Sequence, residues 1–120
     1  MRHSAKPRVL IAEDEPLIAM ELADILEGAG CSVVGSAGSI SAAIDIMKKE
    51  KLDLALLDIN LGSESVAPVA AMLDRREVPF GVVTAYPPCV LPDAVRGRPL
   101  VQKPFTPNEI TRLAEQLLAT

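Results

Sequence analysis

Aromatic side chains are nearly missing from this sequence. Phe80, Tyr86 and Phe105 are the three present in 120 residues, and there is no tryptophan. The core must therefore be aliphatic, and rings on which the bases of a single strand could stack are too few. Basic charge is also scarce. Twelve Lys and Arg against sixteen Asp and Glu leave a formal net charge of −4, with no basic stripe along any predicted helix. A nucleic-acid partner is not expected. No apolar run approaches the ~18 residues needed to span a bilayer, so no membrane partner is expected either. The N-terminal MRHSAKPR precedes no signal-peptide cleavage pattern. Cys31 and Cys89 lie far apart, outside any CxxC or Cys/His cluster. They read as two unlinked thiols in a reducing compartment. His3 falls in a polar tail over residues 1–7 and is assigned no role. The expectation is a cytoplasmic chain with one domain over residues 8–120 and no separate effector domain.

What the chain does have is apolar material, 49% of its residues, enough to pack a core. Its periodicity alternates between short continuous runs and helical stripes, the pattern of a βα repeat. Strands are predicted over residues 8–12, 31–35, 54–57, 80–83 and 100–102. The first helix opens at Pro16, where the missing N–H costs nothing, and stops at Gly28-Ala29-Gly30. The second spans residues 39–49. A polar loop over 60–64 leads to a third helix over 66–76, with Pro68 in its first turn. Between residues 86 and 98, Pro87, Pro88 and Pro92 remove donors and disfavour helix in the residues before them. A fourth helix should be short or irregular. Thr106-Pro107-Asn108-Glu109 carries the capping-box pattern ahead of the last helix. Five such units with near-continuous apolar strands predict an α/β fold, a doubly wound parallel sheet covered by helices on both faces.

In sheets of this kind the ligand site lies beyond the carboxyl ends of the strands. There the chain delivers Glu13 and Asp14 after the first strand, Asp58 after the third, Thr84 after the fourth and Lys103 after the fifth. With a flavodoxin-like order of 2-1-3-4-5, the first and third strands are neighbours and three carboxylates share one pocket. Each residue alone has an ordinary explanation, such as an acid near a helix dipole, a cap, a turn or a solvated edge. The coincidence of all five at equivalent strand ends carries the weight. Crowded carboxylates repel, and a hard divalent cation relieves them; Mg²⁺ prefers oxygen ligands and retained waters. Asp14 and Asp58 are the candidate direct ligands, with Glu13 holding a metal-bound water. A cation, a carboxylate, a lysine and a hydroxyl together suit in-line phosphoryl transfer onto the carboxylate.

The set Glu13-Asp14, Asp58, Thr84 and Lys103-Pro104-Phe105 resembles the receiver domain of bacterial two-component response regulators, over residues 8–118. The resemblance implies a flavodoxin-like (βα)5 fold and phosphoryl transfer to Asp58 from the phosphohistidine of a histidine kinase. It implies Mg²⁺ held by Asp14, Asp58 and the backbone carbonyl of Asn60, with Lys103 and Thr84 on the phosphoryl oxygens. It also implies a cis Lys103–Pro104 bond. Such a chain is a phosphoacceptor that assists its own phosphorylation and slow dephosphorylation, rather than an enzyme. Its output would go through a phosphotransfer or downstream regulatory protein. Residues 79–86, PFGVVTAY, are similar to the PFxFATGY motif of a mostly single-domain subgroup linked to the alphaproteobacterial general stress response. Pro79, Phe80, Thr84 and Tyr86 match, while Val82, Val83 and Ala85 depart.

Two further departures bear on signalling. Leu100 stands where receivers usually carry an aromatic three residues before the lysine. Tyr86, two residues after Thr84, is the candidate replacement; the alternative is a partly buried ring that closes the sheet edge. Three competing readings follow from the same residues. A haloacid-dehalogenase-like phosphatase needs a second acid two residues after its nucleophile, and Asn60 cannot donate that proton. A flavin module needs a phosphate cradle after the first strand, which Glu13-Asp14-Glu15 would repel. A non-phosphorylated pseudo-receiver that serves only as an interaction module would not require the five pocket residues.

Overall fold

The central strands of the sheet are near-continuous apolar runs because both of their faces are covered. In the computed structural model, which describes residues 6–62 and 64–119, the strands are β1 (Arg8–Ala12), β2 (Ser32–Ala37), β3 (Leu54–Leu57), β4 (Phe80–Thr84) and β5 (Leu100–Gln102). They pair in parallel in the order β2-β1-β3-β4-β5, the flavodoxin-like order expected from the sequence. His3, with most of the 1–7 tail assigned no role, lies outside the described residues.

Helices α1 (Pro16–Gly28), α2 (Ile40–Lys49), α3 (Ala67–Arg75) and α4 (Pro107–Leu118) complete the units. Alternate strand residues face opposite layers. Val9, Ile11, Leu54, Leu56 and Val83 pack with Leu22, Leu26, Ile110, Leu113 and Leu117 of α1 and α4. Leu10, Ala12, Ala55, Leu57, Phe80 and Val82 pack with Ala43, Met47, Val69 and Leu73 of α2 and α3. Gly81 gives Leu113 room on the first of these faces: a Cβ there would lie 2.8 Å from Leu113 Cδ1 and the leucine would have to shift. The capping box forms as expected: Glu109 N–H donates to Thr106 Oγ1 (3.2 Å) and Thr106 N–H to Glu109 Oε1 (2.8 Å).

Several elements differ from the sequence expectation: α2 begins at Ile40 rather than 39, with Ser39 as its N-cap, and β4 extends to Thr84 rather than ending at 83. The second strand runs from Ser32 to Ala37, not from 31 to 35. Its bounds follow from pairing with β1, where Val9 matches Val33, Leu10 matches Gly35 and Val34 is skipped in a bulge. The third helix spans Ala67–Arg75, one residue inside the expected limits at each end, with Val66 as its N-cap. The polar loop after Asp58 contains a short antiparallel ladder, Asn60–Leu61 against Glu64–Ser65. It forms because Leu61 is drawn into the α2/α3 core, while Gly62 takes φ 66° and its N–H donates to Asp14 Oδ2 at 3.0 Å.

The fourth unit is irregular, as its prolines predict: two three-residue 3₁₀ turns, Pro88–Val90 and Asp93–Val95, replace a helix. Buried Leu91 and Val95 fill the space a helix face would occupy. The segment is tied down by Arg96 Nη2 donating to Leu91 O (2.8 Å) and by Arg98, which pairs with Asp74 of α3 (2.7 Å) and lies 4.5 Å over the Phe80 ring.

Candidate functional site

Strand pairing continues one residue beyond several strand ends and fixes where the polar side chains emerge. Glu13 N–H donates to Ala37 O (2.9 Å), Asp58 N–H to Ala12 O (2.9 Å) and Lys103 N–H to Thr84 O (2.8 Å). Glu13, Asp58, Thr84 and Lys103 are therefore backbone neighbours across four strands, although up to 90 residues separate them in the chain. The five residues singled out in the sequence converge at this edge. Asp14, Asp58, Asn60, Thr84 and Lys103 line one cleft of about 330 Å³, together with Glu15, Ala85 and Tyr86. Glu13 lies beneath it, almost fully buried.

Lys103 organises the floor. Its Nζ is 2.7 Å from Glu13 Oε1 and 2.9 Å from Asp58 Oδ2, and 3.6 Å from Glu15 Oε2 at the mouth. The Lys103–Pro104 bond is cis, as the family resemblance implied. Burial alone would lower the ammonium's pKa, but its contacts with Glu13 and Asp58 outweigh burial and carry it above 10.5. For Glu13, burial raises the carboxyl above its usual 4.5 and Asp58 repulsion adds to the rise. Contacts with Lys103 and the Glu15 N–H pull the other way without cancelling it.

Oxygens of Glu13, Asp14 and Asp58 all lie within 4.8 Å of one another. Glu13 Oε1 is buried and, beyond its charge contact with Lys103, has no hydrogen bond among the described residues. Hard oxygen donors gathered this closely around a single lysine fit a small divalent cation such as Mg²⁺. The Asn60 N–H donates to Asp58 Oδ1 (3.2 Å), which fixes the carboxylate's orientation. Thr84 is fully buried as a residue, and its Oγ1 accepts from the Tyr86 N–H at 3.2 Å. Tyr86 is 45% exposed and lines the rim of the cleft. Leu100 packs partly buried against the α2/α3 core.

Two participants were not singled out as site residues in the sequence. Glu15 reads as an acid at a helix start, yet its side chain makes no capping hydrogen bond and turns to Lys103 instead. The Gly62 amide reaches Asp14 across 48 residues, and no local pattern encodes that contact.

Residues 9–115 match the family model of the response regulator receiver domain. The chain is 40% identical over 115 residues to the phyllosphere-induced regulator PhyR of Methylorubrum extorquens, which covers 92% of this chain and 43% of that protein. The solution structure of SdrG from Sphingomonas melonis Fr1 superposes with a TM-score of 0.84 at 38% identity, covering 97% of this chain and 99% of that one. The crystal structure of the anti-anti-sigma factor PhyR from Bartonella quintana gives 0.82 at 35% identity, covering 98% and 49%. The chain spans less than half the length of the curated relatives it matches.

Proposed function

The chain belongs to the response regulator receiver family, and from that premise we propose that it accepts a phosphoryl group on Asp58 from the phosphohistidine of a histidine kinase. The observation that carries this reading is Lys103 Nζ bridging Asp58 and Glu13 beside Asp14, with Thr84 lining the same cleft. A carboxylate oxygen of Asp58 attacks phosphorus, the P–N bond to the donor breaks, and an acyl phosphate forms. Lys103 transfers its contact from the carboxylate to a phosphoryl oxygen. Thr84 donates a hydrogen bond from its hydroxyl to another, while the same oxygen accepts from the Tyr86 N–H. Asp14, Asp58 and the Asn60 carbonyl would hold Mg²⁺, with Glu13 supporting it through water. The ion would supply charge neutralisation at the transferring group.

The chain acts as a cytoplasmic phosphoacceptor that signals through another protein, a reading supported by a relative that is an anti-anti-sigma factor. The match of Pro79, Phe80, Thr84 and Tyr86 supports membership of the PFxFATGY subgroup. Tyr86, which shares a hydrogen bond with Thr84, takes the reporting role that Leu100 cannot. Incubation with phosphoramidate and Mg²⁺, followed by intact-mass measurement, tests the proposal. One phosphoryl adduct is expected on the parent protein and none on Asp58→Ala or without the ion. An unmodified parent protein would leave the pseudo-receiver reading in its place.

A further inference from the structure

Of the three carboxylates that share Lys103, Glu15 alone is open to solvent, with a side-chain exposure of 62% against 1% for Glu13 and 8% for Asp58. Its position is not incidental to the helix. Glu15 is the N-cap of α1, where an acid would ordinarily accept from the free N–H groups, and it makes no such bond. Its own N–H is held by Glu13 Oε2 at 3.1 Å, and Oε2 of the side chain leans to 3.6 Å from Lys103 Nζ, inside the lining of the cleft. Glu15 lines the same cleft as Asp58.

Charge balance makes that placement consequential. With Mg²⁺ in the cleft, as the phosphoacceptor reading requires, the ion and Lys103 together match Glu13, Asp14 and Asp58. Glu15 is the charge left over, and it sits at the mouth. We infer that Glu15 is a specificity-determining residue that disfavours small dianionic phosphoryl donors, so that the cleft is loaded by donors of lower charge or by a protein that brings its own cation. The inference rests on the phosphoacceptor reading and concerns which donors that site takes.

Two small donors separate the effects. Acetyl phosphate is chiefly a dianion at neutral pH, and its transfer breaks the P–O bond with acetate leaving. Phosphoramidate is chiefly a monoanion, and its transfer breaks the P–N bond with ammonia leaving after protonation. Both give the same acyl phosphate on Asp58. One extra unit of donor charge facing one carboxylate across a partly hydrated gap corresponds to about a three- to ten-fold difference in rate.

The experiment measures adduct formation by intact mass for both donors on the parent protein, Glu15→Gln and Glu15→Lys. Mg²⁺ is set at saturation for each protein by calorimetric titration. The ratio of the acetyl phosphate rate to the phosphoramidate rate is expected to rise about three- to ten-fold in Glu15→Gln and further in Glu15→Lys. The rise should shrink between low and high salt as the Debye length falls from ~30 Å to ~3 Å. A role confined to helix stability would change both rates together and leave the ratio and its salt dependence fixed. An unchanged ratio with adducts present overturns the inference alone. No adduct from either donor on the parent protein overturns the phosphoacceptor reading, and this inference with it.

Discussion

Lys103 Nζ donates a 2.9 Å hydrogen bond to Asp58 Oδ2, so an ammonium already covers one oxygen of the carboxylate on which the proposed chemistry depends. The same nitrogen touches Glu13 Oε1, while the other oxygen of that carboxylate accepts from the Glu15 N–H. Buried like charges are costly, and here one cation serves several of them. The pocket is thus organised before any ion or phosphoryl group arrives, and its stability and its chemistry share one residue.

Replacing Lys103 with Met should therefore destabilise the metal-free protein at neutral pH by about 1–3 kcal/mol, because Glu13 and Asp58 are left facing each other without a counter-charge. Mg²⁺ would substitute for the lost cation, so saturating ion should narrow the gap between variant and parent. Urea unfolding with and without Mg²⁺ measures both effects. A gap that is absent, or that widens with the ion, contradicts this account.

The Glu13 carboxyl, raised above 4.5 chiefly by burial, makes the acid side of the stability profile distinctive. The folded chain binds this proton more tightly than the unfolded chain does. Its contribution to stability is present at low pH and is lost as pH rises from about 4.5 through the folded-state value. Lys103 acts at the other end: its contribution is present below 10.5 and is lost as pH rises through its elevated value. Glu13→Gln should remove the acid-side loss. Stability of parent relative to variant, followed by metal-free urea unfolding from pH 4.5 to 7, should then fall with rising pH. A flat or rising difference would mean that burial does not control this carboxyl.

How far the sequence could be read depended on whether a feature is local or long-range. The ends of β1 and β3 are where apolar runs meet Glu13 and Asp58, so the residues converging on the cleft could be located directly. The irregular fourth unit was legible because proline acts on its own neighbours. The end of β2 was misplaced because it is set by partners in β1 and by a skipped Val34. The ladder at Asn60–Leu61 depends on a core that accepts Leu61 and on Asp14, 48 residues from Gly62. Glu15 reads in the sequence only as one of three acids that would repel a phosphate; its contact with Lys103 was not legible because an acid at a helix start already has a sufficient local explanation.

The fourth unit should exchange its amide hydrogens faster than the sheet beside it. Its hydrogen bonds are short-range, such as Val90 N–H to Pro87 O (3.1 Å) and Arg96 N–H to Asp93 O (3.3 Å), and Val90 is 55% exposed. Val95 is buried and should be the slower point within it. Arg98→Ala removes the ion pair to Asp74 and the contact with Phe80, at a cost of about 0.5–1.5 kcal/mol. Exchange at Val95 should accelerate more than exchange in β3. Strong protection across residues 89–96 would show that the 3₁₀ turns are not the weak element they are taken to be.

Far from the cleft, Glu77 holds φ 57°, the one non-glycine among the described residues with a positive φ. It follows α3, where its N–H donates to Asp74 O (3.0 Å) and the Val78 N–H to Leu73 O (2.9 Å), the paired bonds of a Schellman end. A Cβ in this region meets the following carbonyl, at a cost of roughly 1–2 kcal/mol, which glycine avoids. Glycine loses part of that gain through the greater freedom of its unfolded chain. Glu77→Gly should therefore stabilise the fold by about 0.5–1 kcal/mol, seen as a higher urea midpoint with an unchanged slope. The turn lies at the end of the sheet opposite Asp58, so the phosphoryl adduct should form at the parent rate. Destabilisation instead would mean that the Glu77 side chain contributes more than its backbone conformation costs.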